Sequence, residues 1–243
     1  MENYMDQNNQ NKQEAKQSNI GKIIAGIIAG IVIVCGVVFL ILEMTKPSGA
    51  QALSSAKNEK VSSIRARANI KTDEISDNTL IEYNDQAVHS HVVLKSGDDT
   101  KRINTWILKN KTYAQVDGKW YYKSSDTTDF KDARNEVKES TNIKQFLDLP
   151  TSAANLFKVS LDGITGYTLT YSGSNQKIMD SVVSDAKKVN ITIHMDHTKN
   201  LHDISATAKL KNGGSTSIQV YDVNNVKDLN VPANVKKAAN ADE

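Results

Sequence analysis

Residues 105–122, TWILKNKTYAQVDGKWYY, decide how the folded part of this chain is read. Short runs of aromatic and β-branched residues flank Asn110-Lys111. A further run follows Asp117-Gly118, a dipeptide whose backbone freedom suits a two-residue hairpin turn. Three antiparallel strands are therefore expected, over 102–109, 112–116 and 119–123.

Working outward, 87–95 enters this meander through the turn Ser96-Gly97-Asp98-Asp99. Earlier, Ile64, Ala66, Ala68 and Ile70 alternate with Arg65, Arg67, Asn69 and Lys71, the period of a half-buried strand. Beyond the meander the spacing turns helical over 129–138, 142–148 and 152–157, interrupted by Pro150. Strands resume over 166–171. Ser174 is placed to cap a helix over 175–187, where Ile178, Val182, Val183 and Ala186 share a face. Strands over 190–195, 201–211 and 215–222 follow, the last two joined by Asn212-Gly213-Gly214. This order predicts an α+β domain. Its expected form is a curved antiparallel β-sheet, a half-barrel, with helices packed on the concave face and water on the other.

A different physics governs Ile23–Leu42, IIAGIIAGIVIVCGVVFLIL. An uncharged run of about twenty residues matches the hydrocarbon thickness of a bilayer as a helix. It exceeds the apolar core of a cleaved signal peptide, and Ala50-Gln51-Ala52, which has the form of a cleavage site, lies well past its end. Val34 before Cys35, and the apolar residues after it, do not suit a lipidation site. The expected organisation is a disordered polar cytoplasmic tail over 1–19 and a transmembrane signal-anchor helix over 20–44. A linker over 45–52, an extracellular domain over 53–239 and a tail over 240–243 complete it. Lys22 abuts one end of the span and Glu43 the other, which favours the N-terminus inside. Gly26 and Gly30 form a GxxxG step that offers a helix-dimerisation face, and with it a homodimer.

Composition excludes more than it assigns. A net charge of +2, with no basic stripe interleaved with aromatics, gives no sign of nucleic-acid binding. The single cysteine, Cys35, leaves the domain without thiols or a disulfide framework. No G-x-S-x-G or H-E-x-x-H is present, and Gly213-Gly214 precedes a strand, so it cannot cradle a phosphate as a loop before a helix does. No enzymatic activity and no cofactor are expected. His89 and His91, two apart on a strand, and His194 and His197, near a turn, are weak metal-ligand candidates. As solvated strand and turn residues they need no metal.

The hairpin Thr105–Tyr113 with Val116–Tyr122 resembles the central hairpin of Gram-positive envelope lipoproteins of the LolA/LppX-like superfamily. The stretch Tyr167-Thr168-Leu169-Thr170-Tyr171 ahead of a helix, and the ending Val231-Pro232-Ala233-Asn234-Val235, fit the same layout. The resemblance implies a half-barrel whose cavity takes acyl chains, used in lipid or lipoprotein handling, with membrane lipid as partner. Many of that group are held by a lipidated cysteine, a pattern from which this sequence departs.

On that reading the cavity would be lined by Trp106, Leu108, Leu169, Tyr171, Ile191, Ile193, Ile204, Ala206, Ile218 and Val220. Phe130, Val137, Phe146, Leu147, Leu156 and Phe157 on the middle helices would form its lid. Each of these rows also suits an ordinary solid core. Two functions therefore stand open: a membrane-anchored extracytoplasmic protein holding a lipid or other apolar envelope component, and a solid-core interaction or sensory module.

Overall fold

The computed structural model describes residues 40–140, 143–163 and 165–241. The chain divides into two units, Met1–Lys46 and Pro47–Glu243. Of the first unit, 40–46 are described, and 40–45 are helical.

The second unit is built on one twelve-stranded sheet. Its strands are β1 (Ile64–Lys71), β2 (Ile75–Tyr83), β3 (Ala87–Ser96), β4 (Asp99–Leu108), β5 (Lys111–Val116), β6 (Lys119–Ser124), β7 (Lys158–Asp162), β8 (Gly166–Gly173), β9 (Ala186–Asp196), β10 (Leu201–Leu210), β11 (Ser215–Tyr221) and β12 (Ala239–Asn240). Their order is β12-β6-β5-β4-β3-β2-β1-β11-β10-β9-β8-β7. Neighbours pair antiparallel except β12, which runs parallel to β6. The helices are α1 (Gly49–Lys57), α2 (Thr127–Ser140), α3 (Ile143–Leu147), α4 (Thr151–Ala154) and α5 (Gln176–Val182).

Local chemistry explains the punctuation. Ser48 accepts from the Gln51 amide while the Gln51 side chain accepts from the Ser48 amide, a capping box that starts α1. Asn175 caps α5 through Lys177 and Ile178. Asp117 and Gly118 both take positive φ, 48° and 80°, as the turn between β5 and β6 requires.

The register sorts every strand residue to one of two faces. On the first face, a row runs Val159–Leu169–Ile193–Ile204–Val220–Ala66–Ile81–Ser90–Thr105 across nine strands. The helices cover part of this face, where Leu53, Ile64, Tyr83, Leu169, Ile178, Ile193 and Ile204 are almost wholly buried. The second face has a smaller core of its own. There Trp106 and Tyr113 pack with Val226, Leu229, Val231 and Val235 from the segment after β11.

Three features correct the expected architecture. The sheet is mixed and open, ending on β12 at one side and β7 at the other, where a purely antiparallel half-barrel was expected. Helices are few and short beside it, and the second face is not uniformly wet, because the C-terminal segment covers its β3–β6 end. Among the described residues no helix is long and apolar enough to cross a membrane. Most of the expected span, with Gly26 and Gly30, lies outside the described residues.

Candidate functional site

The helices do not reach the whole of the first face. α2 lies over one end of β2, β3 and β4, near Tyr83 and Val88, and α5 packs on β9. Arg134 on α2 donates to the Ser62 carbonyl at 2.8 Å, and its guanidinium lies 5.8 Å from the Tyr83 ring centroid. Burial pushes the Tyr83 phenol up to about 12, so it stays neutral and serves as packing.

Toward the opposite strand ends, β1–β5 carry large apolar side chains that no described residue covers. Ile70, Ile75, Leu94, Ile103 and Val116 are all exposed, Ile103 by 54% and Val116 by 55%. All five point to the helix-bearing face. Ile70 and Leu94 flank Asp77 in one cross-strand row, and half-buried Val92 pairs with Ile103 in the next. Lys101 stands opposite Leu94, and Lys119 opposite Val116, so two ammonium groups edge the patch. Scattered exposed aliphatics are ordinary on a protein; here five lie on one face, with the Asp77 carboxylate between Ile70 and Leu94. This patch was not singled out in the sequence. Its signal was there: Ile70, Ile75, Leu94 and Ile103 hold the inward phase of their strands beyond the reach of the helical insertion.

The residues expected to line a cavity divide between the two faces. Leu169, Ile191, Ile193, Ile204, Ala206 and Val220 lie on the first face and are buried, with Tyr171 and Ile218 half-buried beside them. Trp106 and Leu108 lie on the second face, in the core closed by the C-terminal segment. Of the lid candidates, Phe130, Leu147 and Phe157 are buried in the main core and Val137 packs against it, while Leu156 is half exposed. The Phe146 side chain lies outside the described residues.

The histidines are not brought together. His89 and His91 share the second face of β3, whereas His194 is on β9, with four strands between. His89 Nδ1 donates to Glu82 at 2.8 Å, and His194 Nδ1 lies 2.7 Å from Asp203. His197 meets the Tyr167 ring edge-on at 5.2 Å. Among the described residues no three His, Cys, Asp or Glu are placed to hold a metal ion.

No protein-family model and no curated protein matches this chain. Solved structures similar to it include LprF from Mycobacterium bovis, with 10% identity and a TM-score of 0.38, covering 76% of this chain and 97% of that one. Lipoprotein LppX from Mycobacterium tuberculosis is 14% identical with a TM-score of 0.36, covering 75% and 98%. A LolA superfamily protein from Nitrosomonas europaea is 9% identical with a TM-score of 0.21, covering 77% and 96%.

Proposed function

We propose that residues 47–243 form a non-catalytic binding domain for the acyl part of a lipid or another apolar envelope component. The ligand would lie against the uncovered end of the helix-bearing face. The observation that carries this is the exposed group Ile70, Ile75, Leu94, Ile103 and Val116. Each is about half exposed, so covering one contributes on the order of 1 kcal/mol, and the group about 5 kcal/mol before association costs. Association costs of about 4–15 kcal/mol offset most of that, so apolar contact alone would hold a lipid more weakly than millimolar and further contacts are needed. Lys101 and Lys119 at the edge suit an anionic headgroup, which would tighten it. The absence of cysteine from 47–243 agrees with work outside the cytoplasm.

Native mass spectrometry of residues 47–243, before and after organic extraction, tests this reading. A removable mass that is identified as lipid, or that returns with added phospholipid, supports it. A clean apo mass that refuses phospholipid overturns it. That result would favour the interaction module, a reading to which the solid packing around Leu169, Ile193 and Ile204 lends support.

A further inference from the structure

The second face of the sheet, away from the Trp106 core, is grooved and carries lysine, amide and hydroxyl side chains, with Leu80 and Val93 among them over β2 and β3. A cleft of about 660 Å³ lies over β1–β3, between Arg67, Asn69, Asn78, His91 and Lys95. A second, of about 420 Å³, shares Asn69 with it and continues over β11, β10 and β9 along Lys71, Ser217, Thr207, Asn190 and Lys209. A third, also about 420 Å³, shares Lys209 and ends at Lys187, Lys188 and Ser172. The three form one path across seven strands. No aspartate or glutamate lines any of them.

The register gives this path a repeating chemistry. One cross-strand row reads Lys95–Ser76–Lys71–Ser215–Lys209–Lys188. Lys95, Lys71 and Lys209 stand on every second strand, about 10 Å apart at the backbone, and Lys188 follows on the strand next to Lys209. The adjacent row reads Asn78–Asn69–Ser217–Thr207–Asn190–Ser172. Asn69 donates to Ser217 at 3.3 Å, Asn190 to Thr207 at 3.3 Å, and Ser172 to Asn190 at 2.7 Å. Each amide has two N–H donors, so after one neighbour bond the floor still has donors and hydroxyls to offer. The lysines are exposed and form no ion pair with any described residue.

We infer that this path binds a linear anionic glycan, laid across the strands with its acidic groups on the lysine row and its hydroxyls on the amide–hydroxyl ladder. A row of cations fits any polyanion. The ladder selects among them, because it offers closely spaced donors and acceptors to a hydroxyl-rich chain. Single-stranded nucleic acid wants aromatic platforms for its bases, and no Phe, Tyr or Trp lines the path.

The test measures binding of the full-length chain to polygalacturonate and heparin at physiological salt, with neutral dextran and an oligothymidylate for comparison. The triple variant Lys71→Gln, Lys95→Gln, Lys209→Gln is compared with Lys123→Gln, Lys227→Gln, Lys236→Gln, which removes the same charge elsewhere. All six side chains are exposed, so folding is preserved in both. The acidic glycans are expected to bind, to lose about tenfold in the first variant and to change less than about twofold in the second. Three results overturn the inference: no binding of either acidic glycan, equal losses in the two variants, or oligothymidylate binding as tightly with the same dependence on the row.

Discussion

The imidazole of His89 lies flat on the indole of Trp106, ring centroids 4.1 Å apart and planes within 16°. The two residues are register partners on β3 and β4. They sit where a charged row becomes an aromatic one: Arg65, Glu82 and His89 on one side, Trp106, Tyr113 and Tyr122 on the other. Arg65 bonds Glu82 and Asp222 at 2.6 Å each, and Lys111 rests 4.2 Å over the Tyr122 ring. The row ties the strands of the sheet's first half to the C-terminal segment that roofs Trp106.

Trp106→Ala should cost about 3–5 kcal/mol, because it empties the centre of the second core. The loss should be local before it is global. Limited proteolysis is expected to release the segment after Val226 at denaturant concentrations where the β7–β11 half stays protected. Uniform protection of both would contradict a separate core.

Glu82 contributes to the acid limb of stability. The hydrogen bond from His89 is the largest cause holding its carboxyl below the ordinary 4.5, opposed by burial and reinforced by Arg65. A depressed carboxylate contributes stability above its unfolded value, lost as pH falls through the folded one. Glu82→Gln should therefore destabilise by about 1–3 kcal/mol at pH 7, with the deficit shrinking below pH ~4.5. Chemical denaturation at pH 7 and pH 3 measures this, and a deficit independent of pH would refute it.

Gly166 opens β8 beside the end of β9, where a Cβ would run into the Met195 carbonyl. Gly166→Ala should cost about 1–3 kcal/mol through forced separation of the two strands. Hydrogen exchange should rise first at 166–169 and 193–196. A variant as stable as the parent would show that the close approach is not required.

Leu94→Asp with Ile103→Asp should leave thermal stability nearly unchanged, since both side chains already face solvent. The same pair should abolish retention of lipid. Loss of folding would mean that these side chains belong to a core.

Much of the strand framework was legible, because the meander and the last three strands keep period two with strong turn residues between them. β2 was missed: in ISDNTLIEY polar residues fall on both faces, Asp77 and Thr79 on one, Asn78 and Glu82 on the other. The helix expected over 175–187 stops at Val182. Val183 is extended (φ −162°, ψ 132°), and Ala186, which fits a helical stripe by spacing, is buried as the first residue of β9. Period alone cannot separate a short helix from a helix plus a strand start. Trp106 and Leu169 were assigned to one cavity because alternation fixes faces within a strand, whereas only the register relates faces between strands.

Lipid is expected to meet this protein on the uncovered end of the helix-bearing face. The most direct measurement is photolabelling of residues 47–243 with a phospholipid bearing a diazirine in its acyl chain, followed by peptide mapping. Labels confined to 70–75, 92–94 and 101–116 are predicted. Labels concentrated on 167–171 and 189–195 instead, or no labelling above a lipid-free background, would contradict it.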